Sequence, residues 1–438
     1  MHRLGNRLAT LCLLMILGIA GHIGTAHAVV DPKSETLSVD MAVAKAVRDN
    51  PSLAQMQSRY EALAEVPSQV GTRPDPMISL AAMNFPVDTF DRAQEPMTQL
   101  QVGFSQAFPF PGKLALKQDA AEHDARAAAH SVDEARLQLV RKVKTRWWQL
   151  YYIDRALETV DQNQDLLGQF IKVAKTKYET GKGLQQDVLL AQLELSKLID
   201  QRIQLEAIRR QQAIQLNILM DRTPELGIAL PEEVVRNLPD LAGETVLYQK
   251  AETSRPLLRQ LETKVDAARS RLDLAKRDYY PDFTVGLSYG DRTGTNPGPM
   301  GGVRSDFLSV MLGVKVPIYA GRKQSKAVAQ RGLEVQTSRY ALLDERGLVR
   351  GAIATGVTDF RRAKQQLSLF ETGIVPQAEQ TVKSMLAGYQ VSEVDFLNLV
   401  RSQMTLFNYE LQYWKALSEA KQAIAQLEAA VGEETIYE

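Results

Sequence analysis

A stretch of 112 residues without proline, between Pro111 and Pro224, limits the fold more than any other feature of this sequence. It is dense in Ala, Leu, Gln, Glu, Lys and Arg, which favour helix. Its apolar residues recur at steps of mostly three or four, as along the buried stripe of a coiled coil. The pattern is interrupted once, at Gly181, and then resumes. We predict a helical hairpin over 114–220 with its tip between Gly181 and Asp187, and a first helix about 100 Å long.

The N-terminal residues are typical of a secretory signal peptide. Arg3 and Arg7 precede an apolar run over 8–20, and the small residues at either end of 26–28 form a cleavage site. The apolar run is short for a transmembrane helix, which makes a membrane anchor the weaker alternative. We therefore predict a signal peptide over 1–28.

Composition excludes several classes of protein and site. The only cysteine, Cys12, lies within the predicted signal peptide, so the mature chain would have no disulfide and no thiolate metal site. Lys and Arg together number 52, as do Asp and Glu, and this balance does not indicate nucleic-acid binding. No later segment is an apolar run of about 20 residues, so any membrane span would have to come from strands.

The sequence reads as two copies of one pattern. Four features recur in the same order 205 to 211 residues later: Pro51 as Pro256, Pro74 as Pro281, Pro109 as Pro317, and Tyr178 as Tyr389. Each match alone is weak, but their common order at a slowly drifting offset indicates an internal duplication. We predict a first repeat over 29–243 and a second over 244–438.

Each repeat is predicted to contain a helix, a strand pair, a long helical hairpin and irregular equatorial material. The strand pairs lie near 77–84 and 97–108 and near 282–290 and 307–317. The second hairpin covers 323–430, and the equatorial material is an insert at 221–243 and the C-terminal tail. Strand residues alternate between apolar and small or polar, and lengths near ten residues suit tilted strands that cross a bilayer. The alternative is a pair of soluble hairpins that cap the helices.

Helix lengths support the duplication. The two descending helices, 114–178 and 323–389, are nearly equal in length, whereas the returning helices, 187–220 and 396–430, are about half as long. We expect each return path to be completed by a second, stacked helix: 246–279 would complete 187–220, and 37–66 would complete 396–430. Helix 323–389 contains six glycines and Pro376, which are unfavourable within a helix.

Four strands cannot close a membrane barrel, because known single-chain barrels need at least about eight strands. Open sheet edges are also not tolerated in lipid. Several copies must then share one barrel, and three copies would supply twelve strands. The expected fold class is an α-helical barrel of long coiled-coil helices joined to a transmembrane β-barrel shared by three protomers.

These features resemble those of the TolC-like outer-membrane factor family. The resemblance is carried by the duplicated order of elements, by the FPFPGK motif at 108–113, by the YYPDF motif at 279–283, by the VPIY motif at 316–319 and by the two tips. It implies a trimer in the lipid of the outer membrane that extends into the periplasm. It also implies two partners, a periplasmic adaptor and an inner-membrane transporter.

The resemblance places a gate at the tips. It implies that Asp395 and Asn398 face the pore at its constriction, and that Tyr389 and Asp187 form a bond between neighbouring hairpins that locks the closed state. The chain departs from the family pattern, because Ser392 replaces a glycine, Asn398 replaces an acid, and no arginine lies between Ser392 and Asp395. The alternative is that both aspartates are helix N-caps.

The function expected is that of a passive exit duct of a tripartite efflux system. The FPFPGK motif and the short second tip most resemble members that serve heavy-metal pumps of the resistance-nodulation-division class, with organic drugs or secreted protein as alternative cargoes. The alternative class is a soluble periplasmic coiled-coil adaptor or scaffold. We find no catalytic constellation and predict no cofactor. His123 and His130, seven residues apart, are more typical of a helix surface than of a metal site.

Overall fold

A computed structural model describes residues 36–296, 298–433 and 436–437. The predicted signal peptide, 1–28, lies outside the described residues. The chain is mostly helical, and within the part described no helix is both long enough and apolar enough to cross a membrane.

Ten α-helices follow one another along the described chain. Those of the N-terminal half are α1 Val39–Asp49, α2 Pro51–Ala64, α3 Val66–Gly71, α4 Lys113–Glu179 and α5 Gln185–Leu219. Those of the C-terminal half are α6 Glu244–Ser254, α7 Pro256–Arg277, α8 Gln324–Leu369, α9 Val375–Gln390 and α10 Phe396–Val431. A π-helical turn, Phe370–Ile374, joins α8 to α9, and a 3₁₀ turn spans Gly298–Met300.

The 67 residues of α4 form one continuous helix. It follows Gly112, whose φ of 88° reverses the chain at little cost because glycine has no Cβ. Helix α4 packs against α2 and α7 over one part of its length and against α5 and α10 over another. Near its middle Trp147 is buried, and its indole Nε1 donates a hydrogen bond of 2.8 Å to the carbonyl of Leu37. Helix α4 is thus a central strut that the other helices share.

Both return paths consist of stacked helices, but the predicted pairing is wrong: α2 follows the end of α5, and α7 follows the end of α10. Each segment predicted as one helix is divided at a proline. Helix α2 begins at Pro51, where Asn50 caps it, and the Asn50 side chain also donates to the carbonyl of Leu219 at the end of α5. In the second repeat α7 begins at Pro256, and Gly432 at the end of α10 lies against Arg255. Proline lacks an N–H, so it is tolerated at a helix start and breaks a helix interior.

The descending path of the second hairpin differs from that of the first. Instead of one α-helix over 323–389, the structure has α8, the π-helical turn and α9. Pro376 lies in the first turn of α9, where its missing N–H costs least. The extra residue of the π turn therefore accommodates the proline without ending the path.

The four strands are β1 Met77–Met83, β2 Gln99–Phe108, β3 Asp282–Asp291 and β4 Phe307–Lys315. They form one antiparallel sheet in the order β1-β2-β3-β4, so both repeats contribute to it. The register aligns one row of apolar residues with the next, as in the pairs Leu80 with Val102, Val102 with Tyr289, and Tyr289 with Leu308.

This register gives the sheet one apolar and one polar face, because side chains alternate along a strand. The apolar face carries exposed side chains from all four strands: Ile78, Leu80, Leu100, Val102, Phe104, Val285, Leu287, Tyr289, Leu308, Val310 and Leu312. On the other face Gln101 donates a hydrogen bond to Ser288. The sheet therefore exposes a wide apolar surface that no part of the described chain covers.

The equatorial segments of the two repeats meet. Leu241 of the insert pairs with Tyr437 of the C-terminal tail, and the amide of Ala242 donates to the carbonyl of Ile436 at 3.1 Å. Ile436 is buried in a core with residues of α6, α8 and α10.

Candidate gate at the helical tips

Each hairpin reverses in a short turn, which we call the first tip (180–184) and the second tip (391–395). The two tips have the same length, so the expectation of a shorter second tip is wrong. Gly181 has a φ of 69° in the first tip, and Ser392 has a φ of 67° in the second. A left-handed conformation costs a residue with a Cβ about 1 kcal/mol. Ser392 therefore holds, at some cost, a conformation that glycine would adopt freely.

The two tips share one apolar core within the protomer. The rings of Tyr389 and Phe396 lie 5.1 Å apart, and Phe170 of the first hairpin meets Phe396 edge to face at 6.5 Å. Ala191 and Leu198 of α5 belong to the same cluster. This packing holds the polar residues of both tips close together.

Asp187 lies close enough to Asp395 for the charge of Asp395 to affect the pKa of Asp187. Burial raises the pKa of Asp187, and the Asp395 carboxylate raises it further, whereas the Leu184 amide and the Lys177 ammonium act in the opposite direction. Asp187 is the third residue of α5, and Leu184 is the N-cap. Asp395 is the N-cap of α10, but its side chain makes no capping hydrogen bond. Asp187 is therefore not the N-cap that the alternative expected. Asp395 occupies the N-cap position but does not cap the helix with its side chain.

Asp395 and Asn398 lie three residues apart at the start of α10, so they share a face of the helix. Both are exposed, whereas the neighbouring Phe396 and Leu399 are buried. The protomer therefore presents the two predicted constriction residues together on an open surface, and their position at the pore stays a prediction.

Tyr389 is almost fully buried, with 5% of its surface exposed, and its hydroxyl has no hydrogen-bond partner within the described residues. Burial raises the pKa of Tyr389, and the charge of Asp187 raises it further. The two predicted lock residues are therefore neighbours, but no hydrogen bond joins them in this structure.

A residue that the sequence did not predict, Lys177 near the end of α4, connects the two tips. Its ammonium donates hydrogen bonds to the carbonyl of Tyr389 and to the hydroxyl of Ser392, the second at 3.2 Å. It also lies 4.2 Å from the centre of the Tyr389 ring. Nothing in the sequence pairs Lys177 with residues more than 200 positions away, so only the packed structure finds it.

Comparison with known proteins agrees with this architecture. A family model described as outer membrane efflux protein matches residues 42–221 and 247–433, one segment in each half of the chain. The outer membrane protein TolC of Vibrio cholerae is 20% identical over 402 residues, which cover 87% of this chain and 89% of that protein. The cobalt-zinc-cadmium resistance protein CzcC of Cupriavidus metallidurans is 23% identical over 196 residues, 44% of each chain.

A solved structure shows the same fold. The outer membrane protein VceC of Vibrio cholerae superimposes with a TM-score of 0.76 at 18% identity, over 90% of this chain and 96% of that one. The predicted fold class and the resemblance to the TolC-like family are confirmed. The alternative of a soluble coiled-coil scaffold is wrong. The chain belongs to the outer membrane efflux protein family, and it is a passive channel of the outer membrane that extends into the periplasm, not an enzyme.

Proposed function

We propose that three copies of this chain form the exit duct of a tripartite efflux system for heavy-metal ions. The partners would be a periplasmic adaptor and an inner-membrane transporter of the resistance-nodulation-division class. The observation that carries the proposal is the four-stranded sheet, whose apolar face is exposed and whose outer strands, β1 and β4, each have a free edge.

The free edges support assembly. Backbone N–H and C=O groups without partners are very costly in lipid, so a sheet that lies in a membrane must be closed. Edge β1 of one protomer can pair with edge β4 of the next, and three such joints close a ring of twelve strands. Exposed apolar residues on the outer face would then contact lipid.

The helices support the same arrangement. Helix α5 packs on α4 through one face, and its opposite face carries the exposed apolar residues Leu189, Leu193 and Ile203. At the other side of the protomer α8 exposes Leu333, Tyr340 and Leu343. A helix in the wall of a helical barrel has a neighbour on each side, so these two faces fit contacts between protomers.

Oligomeric mass tests the assembly. Outer membranes would be separated and extracted with detergent, and the mass of the extracted protein would be measured by light scattering. We expect a trimer. A monomer, or recovery from the soluble periplasm, would contradict the shared barrel.

The cargo proposal is supported by the relative named for cobalt, zinc and cadmium resistance. Removal of the gene should lower the tolerated concentration of these ions, and the gene on a plasmid should restore it. Sensitivity to organic antibiotics alone, with unchanged tolerance of the three ions, would contradict a metal cargo.

The gate proposal assigns the constriction to Asp395 and Asn398, and the lock to Tyr389 and Asp187. Three copies of Asp395 around one axis would form a ring of like charges that attracts cations. The exposure of Asp395 and Asn398 in the protomer supports this assignment.

Asp395→Ala tests the constriction. We expect higher conductance and weaker cation selectivity of single channels in planar bilayers, because the ring of carboxylates is lost. Glu393→Ala is the matched control, since Glu393 is an exposed acid of the same tip. Equal conductance and selectivity in the two variants would place the constriction elsewhere.

A further inference from the structure

We propose that Lys177 is a positioning residue that holds the second tip against the first and so keeps the gate closed. The inference rests on the proposed gate, because Lys177 acts through the tip that carries Asp395. It assigns the cation of the lock to α4 of the first hairpin, whereas the family pattern expects an arginine within the second tip.

The hydrogen bonds that the Lys177 ammonium donates both go to the second hairpin. The carbonyl of Tyr389 and the hydroxyl of Ser392 accept hydrogen bonds from its ammonium, which also faces the Tyr389 ring. The accepting carbonyl belongs to the last turn of α9, where the helix carries partial negative charge, and it also accepts from the amide of Ser392. Lys177 thus caps a helix of another hairpin, and charge-assisted hydrogen bonds of this kind are stronger than neutral ones.

The same ammonium lies near Asp187, whose pKa it lowers, and Asp187 lies near Asp395. Lys177 is the cation whose charge offsets that of Asp395 at Asp187, so its loss would leave the repulsion between the two carboxylates without this compensation. Repulsion between them would then favour separation of the hairpins.

The π-helical turn is a point at which the second hairpin can bend. Helix α9 is separated from α8 by the π-helical turn 370–374, and such turns are frequent at functional sites and at kinks in helices. Gly373 in this turn meets only one side-chain atom, of Leu369, at the place where a Cβ would lie. Helix α4 is continuous from Lys113 to Glu179. We infer that α9 pivots at the π turn and that Lys177 restrains its free end.

Lys177→Met tests the proposal, because methionine keeps an apolar stem of similar length and removes the charge. We expect about a tenfold rise in the fraction of time that single channels are open, from the loss of hydrogen bonds to a charged group. Lys175→Met is the matched control, since Lys175 is exposed on the same turn and pairs only with Glu179. Lys177→Arg should retain most of the closure.

A covalent cross-link in place of the contact between Lys177 and Ser392 tests the effect of that contact on closure separately from any effect on folding. In a Lys177→Cys and Ser392→Cys double variant, a short cleavable thiol cross-linker would replace the lysine, and the mature chain is expected to contain no other cysteine. The cross-linked channel should stay closed and reopen after cleavage. Trimer mass confirms that each variant assembles.

Two outcomes would overturn the proposal: equal opening of Lys177→Met and Lys175→Met, or equal conductance before and after cleavage. If Asp395→Ala alone changes conductance, the gate stands and the role of Lys177 fails. If neither Asp395→Ala nor Lys177→Met has an effect, the gate fails, and the role of Lys177 with it.

Discussion

Single residues at the tips were predictable where the two repeats could be aligned. The repeats align Tyr178 with Tyr389 and Gly181 with Ser392, and both turns have a left-handed residue at that position. The predicted match of Asp187 with Asp395 is wrong, because Asp187 is the third residue of α5 and corresponds to Asn398, whereas Asp395 is the N-cap of α10. The contacts of Lys177 could not be predicted, because they depend on how two distant hairpins pack. The lack of a hydrogen-bond partner for the hydroxyl of Tyr389 within the described residues could not be predicted either, because it depends on the same packing.

The environment of Asp187 predicts a pH dependence of closure. A carboxyl whose pKa is raised in the closed tip binds a proton more readily there than in an open, solvated tip. The penalty for its charge is therefore present above the raised pKa and is relieved as the pH falls through it. We expect the open fraction of single channels to fall as the pH is lowered toward the ordinary pKa of an aspartate, because the carboxyl of Asp187 takes up its proton before that value is reached.

Asp187→Asn should remove part of this pH dependence, because an amide does not titrate in this range. Asp200→Asn, at an exposed acid further along α5, is the matched control. If the open fraction of both variants depends equally steeply on pH, a group other than Asp187 is responsible for the pH dependence.

Helices and strands follow closely from periodicity, but their breaks do not. The alternation of apolar residues predicted all four strands, and proline-free coiled-coil spacing predicted α4. The π turn was not predicted, because glycines and Pro376 indicate strain in a helix without saying how the backbone relieves it. The division at Pro51 and Pro256 was equally missed, since apolar spacing continues across both.

The contact between α4 and α10 contains a buried polar pair. Gln403 donates a hydrogen bond of 2.7 Å to Asn163, and both side chains are buried within the apolar core of the two hairpins. Asn163 in turn donates to the carbonyl of Thr159. A polar pair in such a contact fixes the alignment of two helices, because a shift would leave buried polar atoms without partners.

Replacement of this pair tests its role. Asn163→Leu alone should destabilise the hairpins by about 1–3 kcal/mol, because Gln403 would stay buried without its partner. The double variant with Gln403→Leu should recover much of this loss, since both partners become apolar. Thermal unfolding of the detergent-solubilised protein, analysed as a double-mutant cycle, measures the coupling. Additive effects of the two substitutions would contradict it.

At the scale of the whole molecule, the protomer has two incomplete sides. Strands β1 and β4 have free edges, and α5 and α8 expose apolar faces. The sequence indicated this incompleteness through the strand count alone. The exposed face of α5 could be recognised only once its contact with α4 showed which face was left open.

Ile203→Lys should weaken the assembly. Ile203 is 60% exposed in the protomer and lies on the face of α5 that points away from α4. A charge there would be buried without a partner in the proposed trimer, so the trimer fraction extracted by mild detergent should fall. Gln204→Lys places the same charge on the flank of the helix as a control, since Gln204 is exposed and next to Ile203 in the chain. Equal trimer fractions in both variants would exclude α5 from the interface.

The free edges of the sheet also bear on how the channel is made. A single protomer has edge N–H and C=O groups that lipid cannot pair with, so a protomer alone is not stable in the bilayer. Newly secreted chains would then have to find one another before or during insertion, and channel production would depend steeply on their local concentration. In a cell that makes both normal and edge-damaged chains, each damaged chain would disable the intact chains assembled with it. A minor defective population would therefore eliminate more channels than its share of the protein.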